Sequence, residues 1–143
     1  MKSVTSSSAK NRFLRELRLV LVGSPISIER RDSDWAFVFA DNVVMGVGTL
    51  WRLVASACVC VTSEDDNHQF GLSAPLNAAA KANNLLSGKT VQSIEVDFST
   101  GDLRLQIEGP LTLEIVTTSS GYESWQIWRA GNLLAVGASG GLA

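Results

Sequence analysis

The densest group of ionisable side chains lies in one polar stretch, residues 63–71. It holds Glu64, Asp65, Asp66 and His68, which is the single histidine of the chain. Carboxylates could bind a hard cation such as Ca²⁺ or Mg²⁺, and His68 could act as a general base beside Asp65 or Asp66. The stretch lacks the ligand alternation and the glycine of a calcium loop, and the sequence has no Gly-x-Ser-x-Gly nucleophile motif. We therefore interpret it as a solvated loop, and we predict neither a metal site nor a catalytic set.

Both cysteines lie in one short apolar run, as Cys58 and Cys60. Residues two apart on a strand point to the same face, and bridging them would strain the disulfide geometry. With a single histidine in the chain, a zinc site of the usual Cys/His type cannot be assembled. We predict two buried or half-buried free thiols in a reducing compartment, with no cofactor.

An aromatic cluster, Tyr122 to Trp128, is the clearest candidate for a binding surface. Tyrosine and tryptophan are common in binding hot spots, but they are also frequent in strands and cores, and we favour core packing here. Arg52 and Glu123 flank two of the tryptophans, and we expect them to form an ion pair. The candidate binding residues are Trp51, Arg52, Asp65, Asp66, His68, Tyr122, Glu123 and Trp125.

The elements that position these residues follow a pattern that occurs twice. Residues 34–47 and 102–115 share the same alternation of apolar positions at an offset of 68, including the turn length and the aspartate that opens each stretch. Trp51 is followed by Arg-Leu, and Trp125 by Gln-Ile, at an offset of 74. Strict alternation is typical of strands with one buried face. The repetition predicts an internal duplication of 21–54 and 86–128.

The predicted fold is α+β: about eight mostly antiparallel strands in two repeated meanders, forming a curved sheet or barrel, with one main helix at 75–87. Pro75 suits the first helical position and Gly88 suits the end of the helix. Residues 11–21 have helical spacing and are expected to form a short helix or an extended arm. The predicted organisation is a basic, partly disordered or helical arm (1–16), a single domain (17–136) and a flexible tail (137–143).

Composition excludes several classes of function. The chain has 143 residues, 45% hydrophobic and 18% charged, which is typical of one globular domain. Residues 1–31 hold seven basic and two acidic side chains, and the remaining residues hold five basic and twelve acidic side chains. This basic end is either a solvated face or a contact for an acidic partner. We predict no nucleic-acid site, because no basic stripe with interleaved aromatics occurs, and no membrane span or secretory signal.

Several segments resemble a group of small bacterial proteins of unknown function. They are Gly-Asp-Leu-Arg-Leu-Gln-Ile (101–107), Leu-Thr-Leu-Glu-Ile-Val (111–116), Ser-Ser-Gly-Tyr-Glu-Ser-Trp (119–125), Trp-Arg-Leu (51–53) and an acidic turn leading to Phe-Gly (65–71). The resemblance covers roughly residues 17–140. It implies no established activity, although some relatives look like immunity-type or accessory proteins of toxin and secretion loci. At 66–69 this chain has Asp-Asn-His-Gln where the group has Asp-Gly.

The sequence therefore favours a non-enzymatic, cytoplasmic protein-binding module, immunity-like or accessory to a toxin or secretion locus. The main reason is that no nucleophile is paired with a base. An exposed edge strand would also allow a homodimer. The alternative is a small-molecule-binding barrel or an enzyme, with a cavity lined by Trp35, Phe37, Trp51 and Trp125.

Overall fold

The computed structural model describes residues 7–138 and 141–142. Its two α-helices are α1 (Ser7–Leu21) and α2 (Ala78–Leu86), and one 3₁₀ turn spans Ser63–Asp65. The strands are β1 (Ser27–Arg30), β2 (Trp35–Val38), β3 (Val43–Val47), β4 (Leu50–Ala55), β5 (Cys58–Thr62), β6 (Val91–Val96), β7 (Leu103–Ile107), β8 (Leu111–Val116), β9 (Glu123–Arg129), β10 (Asn132–Ala138) and β11 (Gly141–Leu142).

The strands form two antiparallel sheets. The first has the order β1-β2-β3-β9-β10-β11, and the second has the order β5-β4-β8-β7-β6. The predicted α+β class and antiparallel pairing are confirmed, but the sheets do not close into a barrel. The described residues also form more strands than the eight expected. One reason is that Ser56 and Ala57, with φ of 50° and 64°, turn the chain between β4 and β5, although neither is a typical residue for a left-handed turn.

The core lies between the two sheets. Trp51, in the second sheet, packs edge-to-face against Trp35 and Phe37 of the first, with ring centroids 5.1 and 5.9 Å apart. Such aromatic pairs contribute about 0.5–1.5 kcal/mol beyond the area that they bury. The inward positions of β7 and β8 are aliphatic and fully buried, and so are Met45 and Val47 of β3. The interior side chains thus pack against each other and hold the two sheets together.

Each helix covers one edge of this core. Helix α2 begins at Ala78, with Asn77 as its N-cap, so Pro75 precedes the helix and does not open it as predicted. Asn83 of α2 accepts a hydrogen bond from the Ile28 amide at 2.8 Å and donates one to the Ile28 carbonyl at 2.9 Å. These bonds satisfy the outer edge of β1, which would otherwise be open to another strand.

The two halves of the chain have the same strand order. Strands β1 to β3 lie in the first sheet and the chain then crosses over, so that β4 and β5 lie in the second. Strands β6 to β8 lie in the second sheet, and β9 and β10 lie in the first. The register repeats as well, since Met45 pairs with Ile127 as Leu113 pairs with Leu53. Each sheet therefore contains three strands of one half and two from the other, apart from β11.

The β-bulges, and the bridge that joins the two halves, also lie at equivalent positions of the two halves. Cys60 is the unpaired bulge residue of β5, and Leu134 is an unpaired bulge residue of β10. The two residues are 74 positions apart, which is the offset that relates Trp51 to Trp125. The first sheet approaches the second at an isolated antiparallel bridge between Pro25 and Thr90. Strand β5 lies at an edge of its sheet, and the bulge makes this edge less able to pair with another chain.

The predicted flexible tail, 137–143, begins inside a strand. Gly137 of β10 is buried and pairs with Trp125 of β9. A Cβ at this glycine would overlap the indole of Trp125, which explains why glycine is required at that position. Residues 139, 140 and 143 of the predicted tail, and residues 1–6 of the predicted arm, lie outside the described residues.

Candidate functional site

The acidic loop between β5 and α2 is built around helix α2. Asp66 accepts a hydrogen bond from the Ala78 amide at 3.0 Å, and its other carboxylate oxygen lies 3.6 Å from Nε of Arg30. At the start of the loop, the Thr62 hydroxyl accepts a hydrogen bond from the Glu64 amide and stabilises the turn there. Within residues 7–138 no group of three or more His, Cys, Asp or Glu side chains could hold a metal ion. Asp66 thus supports the start of the helix.

The predicted general base is not held beside a carboxylate in the described structure. His68 is exposed, and its ring stacks on Phe70 at a centroid distance of 5.4 Å. No hydrogen bond or ion pair links its side chain to Asp65 or Asp66 among the contacts of the described residues. Phe70 is itself 65% exposed and Leu72 is 49% exposed. The loop therefore presents an aromatic and aliphatic tip rather than a catalytic pair.

The two tryptophans among the candidates, Trp51 and Trp125, are core residues at equivalent positions of the two halves. Both are buried, with exposed fractions of 0% and 1%. The Trp125 indole donates a hydrogen bond to the carbonyl of Gly101 at 2.7 Å. The Trp51 indole nitrogen has no partner among the described residues. Neither ring is available to a partner protein. The core packing favoured above for the aromatic cluster is confirmed for Trp125 but is wrong for Tyr122 and Trp128, which are exposed.

The expected ion pair between Arg52 and Glu123 is wrong. Nε of Arg52 lies 3.0 Å from a carboxylate oxygen of Glu114, its cross-strand neighbour on β8. Glu123 instead accepts a hydrogen bond from the Gln126 side chain. The two equivalent tryptophans belong to different sheets, so the charged residues that flank them are held on different sheets too. Tyr122, at the crossover before β9, is 80% exposed.

A polar cleft of about 490 Å³ lies where the acidic loop meets the crossover from β3 to β4. The guanidinium of Arg30 covers the ring of Trp35 at 4.8 Å, and Asp66 lies on its other flank. At the cleft wall the Thr49 hydroxyl donates to the Val116 carbonyl at 2.5 Å. Arg30 and Asp66 are paired in this cleft, and so are the Thr49 and Thr118 hydroxyls, whereas Glu64 is exposed. The lining includes no nucleophile that is hydrogen-bonded to a base.

Two shifted pKa values lie at turns, and both have structural causes. Hydrogen bonds from the hydroxyl and the amide of Ser99 lower the pKa of Asp97 below its usual value, because they favour the charged carboxylate. The hydrogen bond to Asp34 raises the pKa of Arg31 above its usual value. Asp97 is fully exposed to solvent, and neither group is poised near neutral pH for proton transfer.

An apolar groove of about 260 Å³ separates α1 from β10, and we refer to it as the α1–β10 groove. Its lining residues are Phe13, Glu16, Leu17, Leu19, Val20, Arg129, Leu134 and Ala135. Leu19 is 79% exposed and Leu134 is 43% exposed. On the other side of Leu19 a second hollow is lined by Arg15, Arg18 and Val22, with Gln92 and Ser93 of β6. Leu19 therefore forms an apolar ridge between two depressions.

Sequence reasoning did not find this groove. The helical spacing of Phe13, Leu14, Leu17 and Leu21 predicts one buried face of α1, and Leu17 and Leu21 are indeed buried. Leu19 follows Leu17 by two positions, which places it away from that face. A large aliphatic residue outside the buried stripe of an amphipathic helix was the available signal.

The comparisons with known proteins give no relative, since no family model, no curated protein and no solved structure matches the chain. The described helices include none that is both long enough and apolar enough to cross a membrane. The groove and the cleft therefore have to be interpreted from their own chemistry.

Proposed function

We propose that this protein is a non-enzymatic protein-binding module and that its binding site is the α1–β10 groove. The observation that carries the proposal is the exposed aliphatic surface of Leu19 and Leu134 at the rim of a concave apolar groove. Apolar side chains that surround a depression on a folded domain are typical of protein interaction sites. An immunity or accessory protein, as the sequence resemblance implies, would be one such module.

Two further observations support binding over catalysis. In the polar cleft beside Trp35, Arg30 is paired with Asp66 and Asp34 is paired with Arg31, and the cleft lining holds neither a histidine nor a cysteine. The rings proposed for an aromatic cavity are packed in the core, where Phe37 and Trp51 are fully buried. Cys60 is half-buried as predicted, whereas Cys58 is exposed. Their free thiols support a reducing compartment, and we propose the cytoplasm.

The test is a binding measurement between the full chain and each purified protein encoded beside its gene. We expect a stoichiometric complex by sedimentation velocity with one of them. Leu19→Asp should abolish the complex, because it places a charge on the apolar ridge. Asn84→Asp, the equivalent exposed position of α2, is the matched control and should leave binding unchanged. If no neighbour binds, or if Leu19→Asp binds as tightly as the wild type, the proposal is wrong.

A further inference from the structure

We infer that the segment received by the α1–β10 groove is acidic and carries one large aliphatic or aromatic side chain. This inference rests on the proposed function and adds the chemistry of the partner. The groove supplies the apolar contact, and the arginines around it supply the charge. The two contributions come from different residues and can be tested separately.

The arginines of the chain fall into two groups, those that form ion pairs within the described fold and those that do not. In residues 7–138 every ion pair uses one of Arg30, Arg31, Arg52 and Arg104. The remaining arginines of the chain are Arg12, Arg15, Arg18 and Arg129. Three of these lie on α1, where Arg15 and Arg18 line the second hollow across Leu19. Arg129 lines the groove itself, together with the acidic Glu16. An arginine that forms no ion pair within residues 7–138 can bind a carboxylate through two parallel hydrogen bonds. Because four such arginines stand against the one carboxylate of Glu16, this surface favours an acidic segment.

The α1–β10 groove is small for a ligand pocket, and it is concave rather than flat. A volume of about 260 Å³ is below the roughly 300–1,000 Å³ that is usual for small-molecule pockets. It suits one or two side chains that project from a polypeptide. A bilayer surface presents no projecting group to a groove whose walls are formed by Phe13, Val20 and Leu134. A protein segment is therefore the occupant that the geometry favours.

The equivalent place in the other half of the molecule lacks this groove's apolar residues. Phe13 and Leu17 of α1 correspond to Ala78 and Ala82 of α2, at an offset of 65. Larger side chains hold a helix further from the surface on which it packs. Helix α2 contacts both β1 and β5, and the exposed Asn84 stands where α1 has Leu19. The groove is thus a property of one half, and α2 provides matched control positions.

The test is a selection of random peptides, displayed on phage, against the immobilised full chain. We expect the enriched peptides to have a net negative charge and at least one leucine, isoleucine or phenylalanine. For a synthetic copy of one such peptide, Arg129→Glu should weaken binding by about tenfold or more. Lys81→Glu makes the same change of charge on α2 and should leave the affinity unchanged. Circular dichroism of both variants checks that they are folded.

The outcomes separate this inference from the proposed function. Peptides that bind at the groove, as shown by the loss with Leu134→Glu, but that are neutral or basic would overturn the acidic partner and leave the binding function standing. Peptides that are insensitive to Leu134→Glu would overturn both. Self-association of the chain, or binding to vesicles with anionic lipids, that is lost with Arg129→Glu would overturn the inference in favour of a second copy or a membrane.

Discussion

The two equivalent tryptophans provide a matched pair for measuring a buried hydrogen bond. Trp125 donates its indole N–H to Gly101 at 2.7 Å, whereas the indole N–H of Trp51 has no partner among the described residues. Replacing each in turn by phenylalanine removes the same atoms from a core between two sheets. Trp51 also packs edge-to-face on Trp35 and Phe37, and a phenyl ring at that position can keep aromatic contacts of this kind. The difference between the two variants is therefore expected to come mainly from the hydrogen bond.

The expected effects follow from the state of the N–H group. Either truncation costs about 1–2 kcal/mol through lost packing. Trp125→Phe also leaves the buried Gly101 carbonyl without its donor, which adds about 1–3 kcal/mol. Trp51→Phe removes a buried donor that has no acceptor among the described residues. This removal stabilises the fold by about 1–3 kcal/mol and offsets the lost packing. We therefore expect Trp125→Phe to destabilise the fold by about 2–5 kcal/mol and Trp51→Phe to be close to neutral.

Urea unfolding followed by far-UV circular dichroism measures this difference. With a slope of about 2 kcal/mol per molar urea, a gap of 2 kcal/mol or more separates the midpoints by about 1 M. The slopes of both variants should match the wild type, which shows that the unfolded states are comparable. Equal losses for the two variants, or a larger loss for Trp51→Phe, would refute the reasoning.

Three other predictions concern single positions. Gly137→Ala should destabilise the fold by about 2–3 kcal/mol through overlap with an indole, whereas Gly121→Ala, at an open position, should not; thermal unfolding compares them. Asn83→Ala should cost about 1–3 kcal/mol in urea unfolding, because the amide and carbonyl of one β1 residue lose their partner. Asp97, whose pKa is lowered, stabilises the fold above its ordinary pKa of 3.8 and loses this effect as pH falls, so Asp97→Asn should flatten the decline of unfolding free energy between about pH 5 and about pH 2.

The alternation of apolar residues predicted much of the fold, because each inward position of a two-sheet core has to be apolar. The alternation in residues 34–39 puts Trp35 and Phe37 of β2 on one face of a strand, and both are buried. The number of sheets was not predictable, because the crossover at Gly48 leaves no periodic signal. The turn at Ser56 and Ala57 was missed for a related reason: its left-handed backbone is imposed by the pairing of β4 with β5 and is not typical of those residues.

The candidate site was less accessible to sequence reasoning. The acidic loop was recognised as polar, but its role in capping α2 depends on Asp66 reaching the amide of Ala78, 12 residues away along the chain. The α1–β10 groove depends on the distance between a helix and a strand, and that distance is set by side chains of both halves. Local patterns predict which face of an element is apolar, but not which apolar residue stays exposed.

The internal duplication stays a proposal, and three features of the described structure support it. The strand order of β1–β5 matches that of β6–β10, the register of the inner strand pairs repeats, and the bulges at Cys60 and Leu134 are equivalent. A half-length ancestor that paired with its own copy would produce this arrangement. On this proposal, the differences between the halves arose after the duplication. The main one is that α1 has Leu19 where α2 has Asn84.

The exchange of strands between the halves also has a consequence during synthesis on the ribosome. Strand β3 is paired on one side with β9, and β4 is paired on one side with β8. In a nascent chain that ends near residue 62, β3 and β4 each have one edge with unsatisfied backbone groups. The strands that pair with these edges, β9 and β8, have not yet been synthesised. Closure waits for contacts between residues far apart in the chain, so we expect slow folding and a premature product that aggregates.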